Sequence, residues 1–428
     1  MTGLTAPVLV GDLQLDAPLP DLNASGRYHA ARLLARLHGL PIGEVVVPLH
    51  QHPLAADRLA DQVWPQISDR VARHCADDAI PPPGGLTAAG LRPVPGPACA
   101  SRPQPAAPAV SVVIATRDRT DSLLRCLASL ARLDYPRFDV VVADSAPSTD
   151  TTARTLAGPA RWPFPVRYVR ADQPGLALAH NTALPAVTGE VVAITDDDVE
   201  VDPGWLAALA GPFADPQVAC VTGLILPAEL ETQPQVLVEE AGGYARGFTR
   251  RAFSAGMPDP SRLFPFTAGR FGSGANMAFR ASWLAGSGGF DPATGAGTPA
   301  RGGDDLTAFL RVITSGGTLV YEPAAVLRHW HRPDYEGMRR QSFGYGVGLG
   351  AYLAASVRAR PALLGAMVRR ALPAARHLLG SHSAKNEHRS GAFPRELIWR
   401  ERAGLLTGPF AYAVSRHRYH DIITHRAA

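Results

Sequence analysis

The chain has 428 residues, 46% hydrophobic and 19% charged, with a formal net charge of +4. That length accommodates two or three domains with a buried core, and the apolar content excludes a disordered chain. Nearly all the positive charge is arginine, Lys385 being the only lysine, and no Lys/Arg block interrupts the middle of the chain, which disfavours nucleic acid as a partner.

Residues 1–92 read as a separate N-terminal accessory domain of small α/β type. Val8-Leu9-Val10 is a short strand ended by Gly11. Residues 28–40 read as a helix with apolar Leu33, Leu34 and Leu37, and Val45-Val46-Val47 as a second strand. Residues 59–76 read as a helix that Pro65 should kink or divide. No catalytic constellation is recognisable in this block. Residues 93–108, rich in Pro, Gly and Ala, read as a linker.

From residue 109 strands and helices alternate. The predicted strands are 110–115, 138–143, 166–169 and 191–195. Helices are expected between them at 121–130 (Asp121 as cap, with Leu123, Leu124, Leu127 and Leu130 on one face), 148–156 and 176–184. Alternation of this kind argues a parallel sheet with right-handed crossovers, whose ligands bind beyond the carboxyl ends of the strands. Three of those ends carry polar residues: Thr116 and Asp118, Asp144, and the triplet Asp196-Asp197-Asp198. Carboxylates this close repel one another unless a cation neutralises them. A hard divalent ion such as Mn²⁺ or Mg²⁺ does so, and Mg²⁺ is commonly held by one or two carboxylates plus substrate phosphates, which points to chemistry on a diphosphate. Taken alone, an acidic triplet is more often a turn leading into a capped helix. No GxGxxG follows the first strand and no GxxxxGK[ST] occurs, which disfavours dinucleotide dehydrogenases and P-loop kinases.

Cys75, Cys99, Cys126 and Cys220 are scattered, with no CxxC pair and no zinc-type spacing, and read as free thiols in a reducing compartment. The first residues carry Asp12 and Asp16 and no basic n-region, and no apolar run reaches membrane-spanning length. The expectation is a cytoplasmic protein, with a peripheral position at the inner face of the plasma membrane left open.

Taken in order, VSVVIATRDR, VVVADSAPSTD, GLALAHNTAL, AITDDDVEVDPGWL, GSGANMAFRASWL, GGFDP and GGDDLTAFLRV resemble the family 2 glycosyltransferases. The resemblance covers roughly residues 109–350. It implies a GT-A fold (Rossmann-like, a mainly parallel sheet with flanking helices) as the catalytic domain at 109–345, followed by a C-terminal helical region at 346–428. It also implies inverting, metal-dependent transfer of a sugar from a nucleotide-sugar donor, expected to be UDP-linked, to a hydroxyl acceptor. Donor contacts fall to Thr116, Arg117, Asp144 (on the base), Asn181, Asp196 and Asp197. Metal ligation falls to Asp196, Asp198 and His329, with His331, two residues on and pointing the same way, as the alternative imidazole. Asp305 is the expected general base, with Asp304 beside it where the family carries Glu; the plain reading of the pair is two acids favoured by a helix N-terminus. Gly274, Asn276 and Arg280 are expected to line the donor–acceptor cleft. Residues 229–272, with Tyr244, Arg246, Phe248, Arg250, Arg251 and Phe253, either cover the sugar or acceptor or pack as an insertion. A basic amphipathic stretch with Leu363, Leu364, Met367, Val368 and Leu372 suits an anionic membrane surface as well as a solvated helix. Two other functions compete: a sugar-phosphate nucleotidylyltransferase, disfavoured because Arg117 and Arg119 come without a glycine loop, and a non-catalytic sugar-binding protein on a decayed fold.

Overall fold

The computed structural model describes residues 3–23, 26–49, 53–91, 99, 107–159, 162–257, 261–379, 389 and 393–427. The expected linker, apart from residues 99, 107 and 108, lies outside them, as does Lys385.

In the N-terminal unit β1 (Val8–Gln14) runs parallel to β2 (Ala30–Leu37), which is antiparallel to β3 (Leu40–Pro48). Helix α1 (Ala56–Asp77) covers this sheet with Leu59, Val63, Ile67 and Val71, spaced for one helical face. Three expectations are corrected here. The segment expected to be a helix at 28–40 is the central strand, buried along its whole length, and continuous burial erases the period that separates strand from helix. Its true signature is His38-Gly39, both at positive φ (52° and 77°), the backbone of a two-residue hairpin turn. Gly11 does not end β1 but pairs with Leu33 in mid-strand. Pro65 does not divide α1, because it sits on the exposed face, where water can satisfy the carbonyl it leaves unbonded, while Val63 and Ile67 hold the axis on the sheet.

The larger unit begins with β4 (Val110–Thr116), α2 (Thr120–Leu130), β5 (Phe138–Ser145), α3 (Thr151–Leu156), β6 (Val166–Ala171), α4 (Leu176–Ala183) and β7 (Val191–Asp196). Asp121 falls in the first turn of α2 rather than at its cap, and α3 starts later than expected because Asp118 Oδ1 holds Ser148 in the preceding loop. Next come β8 (Val199–Val201), α5 (Trp205–Ala210), β9 (Val218–Pro227), α6 (Gln233–Glu240), β10 (Arg251–Phe253), β11 (Asn276–Arg280), α7 (Ala281–Gly286), α8 (Asp304–Thr314) and β12 (Thr318–His329).

These strands form one sheet in the order β10-β12-β9-β11-β7-β4-β5-β6, with β8 on β12. Strands β6, β5, β4 and β7 are mutually parallel, as expected. The other half is mixed: β11 is inserted antiparallel between β7 and β9, and β10 and β8 run antiparallel to β12. The chain moves outward from β4 to β6 and returns to β7 on the other side of β4, so the sheet's switch point lies between β4 and β7. Apolar clusters fill both faces of the sheet.

Three long helices and a short one complete the chain: α9 (Tyr335–Ala359), α10 (Leu363–Leu379), α11 (Arg395–Arg418) and α12 (His420–Ala427). Helix α9 runs straight through 345–346, where the sequence reading divides the catalytic domain from the C-terminal region. Among the described residues no helix is long and apolar enough to cross a membrane.

Candidate active site

The switch point gathers the polar strand ends. In the ladder Thr116 pairs with Asp144 and Ala115 with Asp196, so the carboxyl ends of β4, β5 and β7 lie side by side. The three consecutive aspartates then diverge. Asp197 is buried and anchored, its Oδ2 accepting from Thr116 Oγ1 at 2.7 Å and its Oδ1 pairing with Arg119 Nη1 at 2.9 Å. Arg119 Nη2 reaches Asp198 Oδ2 at 2.6 Å. Asp196 shares neither bond.

Electrostatics follows that division. Burial, then Asp198, Asp197 and Asp304, drives the Asp196 carboxyl well above the usual carboxylate range. Burial likewise pushes Asp197 up to about 6, against the pull of Arg119 and Thr116. For Asp198 burial is outweighed by His329 and Arg119, and its carboxyl titrates below the ordinary value.

His329 ends β12 and brings Nε2 to 3.4 Å from Asp198 Oδ1. Burial lowers its pKa to about 4, so the ring is neutral and carries a lone pair. Ligand atoms of Asp196, Asp198 and His329 all lie within 4.8 Å of one another. Behind them stands a relay: His329 Nδ1 is 3.0 Å from His331 Nδ1, and His331 Nε2 is 2.8 Å from Glu239 Oε1. Hydrogen bonding of this kind fixes the tautomer and tilt of a ligating imidazole. Two carboxylates, one of them starved of positive charge, and a neutral imidazole form a donor set that fits a divalent cation.

Across the same cavity Asp304 and Asp305 open α8. Asp305 is held by two backbone amides, Gly274 N to Oδ2 and Leu306 N to Oδ1, each 2.8 Å. Burial raises both carboxyls, and Asp304 is raised further by Asp305. The cavity, of about 1170 Å³, is lined by Asp196, His329, Gly274, Asp304, Asp305 and Tyr244, among others.

Asp144, one residue before the end of β5, is fully buried; Oδ2 accepts from Tyr168 Oη at 3.1 Å, while Oδ1 has no hydrogen-bond partner. Arg117 lies exposed in the β4–α2 loop, 3.9 Å from Asp118. At three other positions expected to contact substrate, the side chains make protein hydrogen bonds. Asn181 clamps Phe290 with both ends of its amide, at 2.8 Å each. Asn276 is wholly buried, donating to Leu224 O and Ala325 O and accepting from Trp205 Nε1. Arg280 pairs in the ladder with Val191, at the far end of β7 from the aspartates, and donates to Val218 O, Phe213 O and Asp215 O. All three hold the scaffold.

The 229–272 stretch divides. Arg250 pairs with Glu322, Arg251 lies over Phe253 and Tyr321, and Phe253 is core, whereas Tyr244 and Arg246 line the cavity. Tyr244 also hydrogen-bonds Tyr345 and Gln341 of α9. The sequence reading assigned no role to Arg119 on the triplet or to Glu239 behind the histidines. A cation three residues past a polar strand end was an available signal for the first; for Glu239 there was none.

Comparison with known proteins agrees with this construction. A pre-mycofactocin glycosyltransferase of Mycobacterium tuberculosis is 29% identical over 238 residues, 55% of this chain and 46% of that protein. A glucosyl-dolichyl phosphate glucuronosyltransferase of Haloferax volcanii is 23% identical over 192 residues, 42% of this chain and 56% of that protein. The chain thus spans about half the length of these curated relatives. Among solved structures, the mannosyltransferase PcManGT from Pyrobaculum calidifontis, in complex with GDP-Man and Mn²⁺, is 22% identical, covers 73% of this chain and 75% of its own, and has a TM-score of 0.42. Residues 111–284, the segment that carries Thr116, Asp144 and Asp196 to Asp198, match the model of glycosyl transferase family 2.

Proposed function

We propose that the chain transfers a sugar, with inversion, from a nucleotide-sugar donor to a hydroxyl acceptor with the help of Mn²⁺ or Mg²⁺. The observation that carries this reading is the convergence of Asp196, Asp198 and His329, of which Asp196 and His329 line the same cavity as Asp304 and Asp305. A divalent ion held by the first three would act as a Lewis acid on the leaving diphosphate. The chain's own residues do the rest. Asp144, with its free Oδ1, suits the N–H of a uracil base, which favours a UDP-linked donor. Thr116 and Arg119 hold Asp197 and orient the triplet. Asp305, fixed by two amides, is the base that receives the acceptor hydroxyl's proton as that oxygen attacks the anomeric carbon. Asp304 stands beside it, its own carboxyl raised to about 7 by burial and by Asp305.

Release of nucleoside diphosphate from a panel of nucleotide sugars, with Mn²⁺ or Mg²⁺ and with the Asp198→Asn variant as control, tests the reading. Metal-dependent release by the wild type and its loss in the variant are expected. No release from any donor with either metal overturns it.

A lipid-linked acceptor is favoured by the face above the cavity. Helix α10 turns Met367, Arg370 and Ala374 to the cavity while Leu364, Val368 and Leu372, four residues apart, stand exposed on another face. Leu406 and Phe410 of α11 are 83% and 74% exposed. Together these side chains suit a peripheral seat on the cytoplasmic face of the plasma membrane, where nucleotide-sugar donors meet lipid-borne acceptors. Co-sedimentation with anionic vesicles by the wild type, lost when Leu364, Val368 and Leu372 become serine, is the expected result. A wild type that stays in the supernatant rejects the membrane seat without touching the transferase reading.

A further inference from the structure

The N-terminal unit, which looks chemically empty in sequence, brings together four metal-ligating side chains. His38 occupies the β2–β3 turn. His74 and Asp78 lie one turn apart at the C-terminal end of α1, and Cys99 comes from 21 residues beyond Asp78. Their donor atoms converge: His38 Nδ1 is 3.1 Å from His74 Nε2, and Cys99 Sγ is 3.3 Å and 3.6 Å from those two nitrogens. Asp78 Oδ2 is 3.5 Å from His38 Nδ1 and 3.3 Å from His74 Nε2.

The spacings match a coordination polyhedron. Zinc bonds of about 2.3 Å to sulfur and about 2.0–2.2 Å to nitrogen and oxygen place the edges of a tetrahedron at about 3.3–3.6 Å. The five edges above run from 3.1 Å to 3.6 Å. A second observation points the same way. The Asp78 side chain is 1% exposed, and its Oδ2, the oxygen aimed into the cluster, accepts no well-formed hydrogen bond. Its other oxygen accepts from the backbone N–H of Cys99 at 3.0 Å and so orients both ligands at once.

We propose that His38, His74, Asp78 and Cys99 form a structural zinc site, separate from the catalytic cation site. Ligand chemistry distinguishes the two. A thiolate with two imidazoles selects a borderline-soft metal such as Zn²⁺, whereas a carboxylate pair with one imidazole suits Mn²⁺ or Mg²⁺. Four protein ligands leave no open position, so the zinc does no chemistry. Its effect is to tie the chain at residue 99 back to α1 and the β2–β3 hairpin, fixing how the N-terminal unit hands over to β4.

Metal analysis of the full-length chain, purified without chelators from zinc-supplemented cells, tests this. Wild type and Asp198→Asn should each carry about one zinc per chain, and Cys99→Ser and His74→Gln at least about tenfold less. Cobalt-loaded wild type should display a thiolate-to-cobalt charge-transfer band that near-isosteric Cys99→Ser lacks, a readout that stands even if His74→Gln does not fold. Wild-type protein without stoichiometric zinc, or full zinc in both ligand variants, overturns the proposal.

Discussion

Burial is what turns ordinary aspartates into chemically useful ones in this cavity. As the proposed base, Asp305 must be charged to accept a proton, yet burial raises its pKa, so turnover should climb with pH through a range above the usual carboxylate value of about 3.9. Replacing Asp305 with Asn should lower kcat by about 10²–10⁴-fold and abolish that rising limb, with the KM for the donor little changed. Steady-state kinetics from pH 4 to 8 checks both, and near-normal turnover removes Asp305 from the role. His180 illustrates burial without function. It packs on Phe290 with ring centroids 5.2 Å apart, neither ring nitrogen has a hydrogen-bond partner, and burial lowers its pKa to about 4. Its unfolded value is about 6.5, so between those two pH values the unfolded chain binds more protons. Stability therefore falls by up to about 3 kcal/mol as pH drops from 6.5 to 4. His180→Leu removes this liability and the unpaired nitrogens. The variant should match or exceed wild type at pH 7 and gain on it steadily towards pH 4 in urea unfolding; a variant less stable than wild type at pH 5 contradicts the account.

Helices α9 and α11 meet backbone to backbone. A Cβ on Gly404 would stand 2.3 Å from the Phe343 carbonyl oxygen, and one on Gly408 2.5 Å from that of Val347. Gly404→Ala must push the helices apart, at a cost of about 1–3 kcal/mol. Because Glu401 and Leu405 of α11 line the cavity, the same change should raise the acceptor KM more than the donor KM. Limited proteolysis in α11 and two-substrate kinetics check it. This contact is absent from any local pattern, and the same distinction separates what can be read in the sequence from what cannot. Thr116, Asp144 and Asp196 are legible because a strand end fixes a side chain at the sheet's edge from local sequence alone. Asn276 and Arg280 are not, since their partners are carbonyls of β9, β12 and the turn after α5, and these become neighbours only through the antiparallel insertion of β11. Strand β2 is misread for a related reason. Its two faces are both covered, so its hydrophobic pattern has no period, and only the His38-Gly39 turn betrays it.

The N-terminal unit and the larger sheet are joined through buried charge. Arg32 of β2 reaches Glu44 at 2.6 Å and 2.9 Å and, across the interface, Glu239 of α6 at 2.7 Å. Glu239 in turn holds His331, which abuts His329 at the candidate cation site. Arg36 with Asp202 and Arg328 with Asp12 add further pairs, and Val8, Leu230 and Val236 pack between the units. The accessory unit is thus one end of a relay whose other end is a candidate metal ligand. Burial alone would raise the Glu239 carboxyl, but Arg32 and His331 outweigh it and hold it at about 2. Its folded pKa lies below the unfolded value, so its contribution to stability is complete above about pH 4.3 and is lost as pH falls towards 2. Arg32→Met reverses the balance. Burial then dominates, Glu239 takes up a proton more readily folded than unfolded, and the variant is penalised most where the carboxyl must stay charged. Breaking a buried pair by removing one partner costs about 3–5 kcal/mol. Urea unfolding should therefore give a deficit of that size at pH 7 that shrinks as pH is lowered to 4, and the Mn²⁺ affinity of the same variant should weaken as His331 loses its anchored acceptor. A deficit that is constant across pH means that Glu239 keeps its charge without Arg32, and the relay then does not begin in the N-terminal unit.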